Sequence, residues 1–180
     1  MSRPRRTAVI AVATFVVLAM PKAAFGVAWP SIAGDLGRDI ADLGTILAID
    51  VGGFFAGVLA VGRMVDRFGT GAILSGASVA ATLAIGGYAL ACTFPYLVGC
   101  AIALGVSGGL LDAGLNAYVT LHRGARVMAW LHAGFGVGSA LGPLLMTGLL
   151  AIDAGWRAGF WIIAGLQAAV IVGLVAASRD

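Results

Sequence analysis

Residues 62–69 read Gly-Arg-Met-Val-Asp-Arg-Phe-Gly, a polar octet that lies between two long apolar segments. The hydrocarbon interior of a membrane rejects charged side chains, so this compact Asp-Arg pair indicates a tight turn at the membrane surface. The spacing Gly62-x-x-x-Asp66-Arg67-x-Gly69 therefore separates two predicted membrane-spanning helices.

Six apolar runs lie on the two sides of this octet. They cover about 8–28, 43–62, 71–93, 96–121, 127–152 and 158–177. Each run is continuous and about 20 residues or longer, which favours a membrane-spanning helix over the alternating strands of a barrel. Turn material separates the runs, for example Trp29-Pro30-Ser31, Thr93-Phe94-Pro95 and Asp153-Ala154-Gly155. The sequence predicts an all-α membrane protein with six transmembrane helices in one domain, residues 1–180.

The composition also indicates lipid as the solvent. Hydrophobic residues make up 61% of the chain and charged residues 11%, against about 25% charged residues in soluble domains. The 28 glycines suit close helix packing in a bilayer. The net charge of +3 is scattered over segment ends, so we expect contact with the lipid bilayer and no nucleic-acid partner.

The distribution of basic residues predicts the orientation of the chain. Arginines on one side are Arg3, Arg5, Arg6, Arg63, Arg67, Arg123, Arg126 and Arg179, and those on the other are Arg38 and Arg157. This excess places both termini of a multi-pass protein in the cytoplasm, in the inner (plasma) membrane. The start resembles a signal peptide, but its apolar run is long and five more follow, so we expect it to remain as the first span.

Two turns resemble each other. Asp66-Arg67-Phe68-Gly69 follows the second predicted helix, and Asp153-Ala154-Gly155-Trp156-Arg157 follows the fifth. Helices 1–3 and 4–6 would then form a 3+3 inverted repeat; chance is the alternative explanation.

These residues together resemble the N-terminal half of a major facilitator superfamily transporter. The turn of residues 62–69 matches the signature between helices 2 and 3 of that family, and Gly138-x-x-x-Gly142-Pro143 resembles its Gly-Pro element. Trp156-Arg157-x-x-Phe160 resembles the start of its helix 6. The segments 108–116 and 131–136 are similar to the fucose-permease-like branch. Thr70-Gly71 replaces the basic residues that normally follow the signature.

The resemblance implies half of a twelve-helix transporter fold. It implies a secondary transporter that moves a small polar solute, a sugar being the first candidate, with proton coupling and alternating access. A parallel homodimer would supply the second half. The alternatives are a truncated or split half that needs a separate six-helix partner, and a membrane interaction protein without flux. Drug or metabolite efflux is the alternative for the substrate.

Asp112 and Asn116 lie inside the fourth predicted helix, one turn apart on the same face. A carboxylate and an amide at this spacing can bind a hydroxylated solute, and the carboxylate can also carry a coupling proton. An interhelical contact that only holds the bundle together is the alternative.

Three further residues are candidates for solute binding. Lys22 follows Pro21, which is expected to break the first helix, and it either pairs with Asp50 or extends to the outer interface. Asp50 lies near the middle of the second helix, where a charge needs a partner or a cavity. His132 either relays protons and binds solute or packs as an ordinary histidine.

The octet and the glycines also allow two interpretations each. Gly62, Asp66, Arg67 and Gly69 form either a conformational gate or a simple capped hairpin, with Gly62 at a close helix contact and Asp66 capping the third helix. Gly134, Gly138 and Gly142 share one face and predict close helix packing. The four tryptophans near span ends, Trp29, Trp130, Trp156 and Trp161, are predicted interfacial anchors.

Nothing in the sequence indicates an enzyme. No nucleophile with an adjacent base, metal-ligand spacing or phosphate-binding loop is present, so we expect no cofactor and no metal. Cys92 and Cys100 are predicted to remain free thiols.

Overall fold

The computed structural model describes the backbone of residues 3–179 and the side chains of residues 9–172. Helices occupy almost all of this range, and residues 3–179 contain no strand. In chain order the helices are α1 (Arg3–Leu36), α2 (Asp42–Phe68), α3 (Thr70–Leu90), α4 (Phe94–His122), α5 (Ala125–Ala151) and α6 (Gly155–Arg179). Each is long and apolar enough to cross a membrane, which confirms the six-helix fold. The side chains of Arg3, Arg5, Arg6 and Arg179, used in the charge count, lie outside the described range.

α1 is longer than its apolar run because it continues through Trp29-Pro30-Ser31, which the sequence analysis wrongly interpreted as a turn. Pro21 and Pro30 both lie inside the helix, so the break expected at Pro21 does not occur either. A proline removes one backbone hydrogen bond, but lipid offers the freed groups no water, so an unbroken helix is the least costly conformation. α1 ends where Gly37 adopts a φ of 59°.

The octet of residues 62–69 forms the last two turns of α2 and a one-residue connection. Gly69 has a φ of 84° and occupies the N-cap position of α3, so the predicted cap by Asp66 is wrong. Asp66 still belongs to α2 and is exposed. The close contact predicted at Gly62 is also wrong, since a Cβ added there would have no neighbour within 4 Å.

The connections between helices repeat along the chain. In residues 3–179, the glycines with positive φ are Gly37, Gly69, Gly124 and Gly155. Gly37 and Gly124 follow α1 and α4, whereas Gly69 precedes α3 and Gly155 is the first residue of α6. A glycine with positive φ thus marks corresponding connections in the two halves, although Asp66 lies inside α2 and Asp153 lies in the turn between α5 and α6.

Helix packing shows the same relation. α2 packs extensively on α4 as α5 does on α1, and α3 packs on α4 as α6 does on α1. If α1, α2 and α3 are exchanged with α4, α5 and α6 in that order, the α2/α4 contact becomes the α1/α5 contact. The α3/α4 contact becomes the α1/α6 contact in the same way. This is the pattern of a 3+3 inverted repeat.

Glycines form both of the long helix contacts. On α5, a Cβ added to Gly138 or Gly142 would overlap the carbonyl oxygens of Val16 or Met20 in α1. The predicted packing face of α5 therefore lies directly against the backbone of α1. Between α2 and α4 the corresponding glycines are Gly53, Gly57, Gly105 and Gly109, and each would overlap or crowd backbone atoms of the facing helix. We call these contacts the α1/α5 seam and the α2/α4 seam.

The core lies among α1, α3, α4 and α6, with an aromatic cluster near one end. The ring of Phe25 lies 5.1 Å from that of Tyr88 and 6.0 Å from that of Phe160. Trp29 and Trp156 are buried beside this cluster, so the prediction that they are interfacial anchors is wrong. Their apolar rings fill the bundle end, while Trp130 and Trp161 are exposed.

Candidate functional site

Lys22 and Asp50, two of the charges predicted inside spans, lie together. Lys22 Nζ is 2.7 Å from Asp50 Oδ2 and 4.8 Å from the centroid of the Phe54 ring. This is the pairing that the sequence analysis offered as one of two alternatives for Lys22. The two side chains differ in access, because that of Lys22 is 29% exposed and that of Asp50 is 8% exposed.

The α2/α4 seam fixes the position of Asp50. A Cβ on Gly105 would overlap the carbonyl oxygen of Asp50, so the α2 backbone rests directly on α4 at this residue. Asp50 Oδ1 is buried and has no hydrogen-bond partner among the described residues. A cavity of about 10 Å³ lies beside the ion pair and is lined in part by Asp50, Lys22 and Tyr88.

Asp112 and Asn116 lie further along α4 on the same side of the bundle. Asn116 Nδ2 donates a hydrogen bond of 3.3 Å to Asp112 Oδ2, and Asn116 Oδ1 is buried without a partner in the described range. Gly108 lies on α4 next to the ion pair, since a Cβ added there would be 4.0 Å from Lys22 Cε. Asp112 follows Gly108 by one helical turn, about 6 Å along the axis.

His132 reaches this region from α5. Its ring lies 6.4 Å from that of Phe15 in an edge-on arrangement, and it is exposed. Phe15 lies on α1, as Lys22 does, so the His132 ring lies beside the helix that carries the ion pair. The five predicted site residues therefore share one side of the bundle, with His132 at its α5 edge. His122 hydrogen-bonds to the carbonyl of Tyr118 in its own helix.

Apolar side chains border this polar side. On α2 the exposed members are Leu47, Val51, Phe55 and Leu59, and on α5 they are Trp130, Phe135, Val137, Leu141 and Leu144. We call them the α2 border and the α5 border. In a membrane these borders contact lipid or a second bundle.

The octet forms no described ion pair. Among the side chains of residues 9–172, neither Asp66 nor Arg67 makes a salt bridge, and Arg67 lies over the ring of Phe68 at 5.2 Å. A gating role for Asp66 and Arg67 would need a group outside the described residues.

Sequence reasoning missed a second polar cluster, at the end of the bundle where α1 finishes. Trp156 Nε1 donates to Asp35 Oδ2 at 3.0 Å, and Arg157 pairs with the same oxygen. Arg157 Nη2 also donates to the carbonyl of Ala91 at 3.2 Å. The contact joins residues more than 120 positions apart, so no local pattern indicates it.

Sequence reasoning also missed the α2/α4 seam, although a signal was present. Gly53 and Gly57 are four residues apart, as are Gly105 and Gly109. The same spacing led to the correct prediction on α5.

Comparison with known proteins gives a family and a curated relative. The family model of the Major Facilitator Superfamily matches residues 10–179. The chain is 27% identical over 164 residues to the 4-hydroxybenzoate transporter PcaK of Acinetobacter baylyi, in an alignment that covers 84% of this chain and 34% of that protein. The chain thus spans about a third of the length of the curated relative that it matches.

Proposed function

The chain belongs to the Major Facilitator Superfamily, and on that premise we propose that it forms half of a secondary transporter for a small polar solute. The side that carries Lys22, Asp50, Asp112, Asn116 and His132 would bind the solute. A sugar remains the first candidate, in keeping with the resemblance to the fucose-permease-like branch.

The proposal rests on one observation, the convergence of charged and polar side chains from four helices on one side of a membrane bundle. Each charge placed at a helix centre costs about 2.5–3.5 kcal/mol on insertion scales. A structural role does not account for this cost, because the glycine seams already hold the helices together without polar contacts. A water-filled solute cavity explains why Lys22 keeps an exposed face while Asp50 is buried.

The polar side needs a second bundle to enclose a solute, and we propose that a second copy supplies it in a parallel homodimer. A twofold axis along the membrane normal would place the α2 border of one copy against the α5 border of the other. Both borders are apolar and exposed, as such a contact requires. Alternating access would follow from rocking of one bundle against the other.

Disulfide crosslinking in native membranes tests the homodimer. In a background without Cys92 and Cys100, the pair Leu59→Cys and Leu141→Cys should give a crosslinked dimer. Leu83→Cys on α3 is the matched control, since Leu83 is similarly exposed but lies away from both borders. A crosslink to a different protein would favour a separate partner half, and an uncrosslinked chain would favour a protein without transport.

We propose that Asp112 or His132 couples transport to protons. Asp112→Asn should abolish uptake driven by a pH gradient in proteoliposomes, because the amide cannot carry the proton. Asp153→Asn is the control: Asp153 lies in a turn with a φ of 57°, a conformation that asparagine tolerates. Unchanged uptake by Asp112→Asn would remove Asp112 from the coupling role.

The proposed orientation places both termini and the octet of residues 62–69 in the cytoplasm, with the chain in the inner membrane. There Asp66 and Arg67 would bind the second bundle and gate one end of the cavity. Their exposure on α2 leaves both side chains accessible to such a partner.

An aromatic acid is a second candidate solute. The relative described above is a 4-hydroxybenzoate transporter, and the polar side carries the rings of Phe15, Phe54 and Phe135 close to Lys22 and His132. Thermal unfolding of the purified protein with 4-hydroxybenzoate or fucose separates the candidates. A ligand at a hundred times its Kd stabilises the folded state by about 2.7 kcal/mol.

A further inference from the structure

We propose, on the premise of the transport function above, that Lys22 and Asp50 form an exchangeable ion pair. The carboxylate of an organic acid takes the Lys22 ammonium, and Asp50 takes up one proton from water in return. The proposal narrows the solute to a hydroxylated monocarboxylate, and it adds Asp50 to the groups that carry protons.

The Lys22 ammonium can bind a second anion, because Asp50 does not use all of its hydrogen-bond donors. An ammonium has three donors, and Asp50 Oδ2 accepts one of them at 2.7 Å. The Phe54 ring covers another side of the ammonium at 4.8 Å. The side chain is 29% exposed, and Gly108 beside it has no side chain that would block approach from the polar side.

Asp50 has the geometry of a proton acceptor once its partner is engaged elsewhere. Its Oδ1 is buried without a hydrogen-bond partner in the described range, so it is free to receive a proton. The adjacent cavity of about 10 Å³ approaches the volume that one water molecule needs. A protonated Asp50 could donate to such a water, whereas an ionised carboxylate can only accept.

The charges explain why one acid should bring one proton. Lys22 and Asp50 are neutral as a pair, and they stay neutral with the acid bound only if Asp50 is protonated. Without the proton, the buried site would carry one uncompensated negative charge, which is strongly unfavourable. The proton returns to water when the acid leaves and Lys22 pairs with Asp50 again.

Other titratable groups face the pair from the neighbouring helices. They are Tyr88 from α3, which lines the cavity beside the pair, and, further along the polar side, Asp112 from α4 and His132 from α5. Tyr88 is neutral in its protonated form. Among the described residues, the carboxylate that pairs with Lys22 is that of Asp50, so Asp112 does not replace Asp50 as its partner.

The second end of the solute follows from α4. Asp112 lies one turn, about 6 Å, beyond the Gly108 contact with Lys22, and Asn116 presents an unpartnered buried oxygen one turn further. These groups accept hydrogen bonds from a hydroxyl. A small acid with its carboxylate at Lys22 and a hydroxyl toward Asp112 would satisfy both ends.

Calorimetric binding to the purified full chain tests the proposal. The acid panel is lactate, gluconate and mandelate, the matched neutral panel is their primary amides, and the sugar panel is fucose and glucose. At least one acid should bind while its amide does not. Titration in two buffers with different ionisation enthalpies should show about one proton taken up per acid, so the affinity falls about tenfold per pH unit where Asp50 is ionised.

Two variants locate the proton and the anion. The Asp50→Asn variant should bind the acid at pH 8 at least tenfold more tightly than the native chain, because residue 50 no longer competes with the acid for the Lys22 ammonium. The uptake of one proton should be absent in this variant. Lys22→Gln should lose acid binding. Asp42→Asn is the control, since Asp42 pairs with Arg38 at 2.9 Å on the surface of α2 and should change neither quantity.

Each other outcome overturns the inference. Acid binding without proton uptake by the native chain would refute the exchange, and this measurement requires no variant. Acid binding that survives Lys22→Gln would refute the anion site. Binding of sugars but no acid would refute the inference and leave the proposed transport function standing, whereas no binding from any panel would contradict both.

Discussion

Replacing Gly138 with alanine should destabilise the bundle, whereas the same change at Gly136 should not. Both residues lie in α5, two positions apart. An added Cβ at Gly138 would overlap the carbonyl oxygen of Val16 in α1, but at Gly136 it would meet nothing within 4 Å. The overlapping atoms are backbone, so no side-chain rotation can relieve the clash, and α1 and α5 must separate.

The magnitude follows from the difference between the two variants. Alanine is favoured over glycine by about 1 kcal/mol in a helix interior, and this gain is common to both positions. The remaining difference is the cost of overpacking, about 1–3 kcal/mol. For a domain of this size, each kcal/mol corresponds to about 2–4 °C in Tm, so Gly138→Ala should melt measurably below Gly136→Ala.

Thermal and detergent-induced unfolding of the purified variants, followed by circular dichroism, provides the measurement. If neither Gly138→Ala nor Gly136→Ala lowered the stability, α1 and α5 would not approach as closely as the α1/α5 seam requires. A loss at Gly136 as large as that at Gly138 would show instead that α5 tolerates no added methyl group, whatever the contact with α1.

Three further predictions concern other parts of the bundle. Asp35→Ala should cost about 1–3 kcal/mol of unfolding free energy, because it removes the acceptor of the buried Trp156 N–H. Cys92, which is exposed after α3, should react with a membrane-impermeant maleimide in intact cells if the termini are cytoplasmic. Gly105→Ala should lower both stability and solute binding, because its Cβ would displace the Asp50 backbone.

Each of these has a matched control in the chain. Asp39→Ala removes an exposed carboxylate and should be neutral, so an equal loss would argue against a specific role of the Trp156 contact. Cys92→Ser should abolish labelling, and labelling only in permeabilised cells would reverse the proposed orientation. Gly99→Ala, in α4 with no neighbour within 4 Å, should change nothing, and equal effects at Gly99 and Gly105 would contradict the α2/α4 seam.

The number and type of helices could be predicted from the sequence because lipid imposes a simple rule. A long apolar run must become a helix, since hydrocarbon leaves no other way to satisfy the backbone. The error at Trp29-Pro30-Ser31 has a related cause. Proline and serine mark turns in water, but Trp29 is buried and its ring stacks on that of Phe25, so packing keeps α1 helical through Pro30 to Leu36.

The candidate site was only partly predictable. Lys22 and Asp50 stand out because charges are rare inside spans, and a buried charge needs an opposite partner. The predictions for the octet were less successful. The turn to α3 consists of Gly69 alone, so Asp66 remains inside α2 and does not cap α3, and Gly62 has no close neighbour. The Asp35 cluster could not be predicted, since its members are brought together only by packing of α6 against α1.

The glycine seams and the polar side form a single structural unit. At Gly105 the α2/α4 seam holds the Asp50 backbone against α4, and four residues later Gly109 contacts the Phe54 carbonyl in the same way. The seam thus sets the positions of both Asp50 and Phe54 around the Lys22 ammonium. Because backbone contacts allow little adjustment, α2 and α4 should move as one body. The ion pair of Lys22 and Asp50 joins this body to α1. On the proposals above, solute and proton would exchange on Lys22 and Asp50 while α2 and α4 keep their relative positions, as rocking of one bundle against another requires.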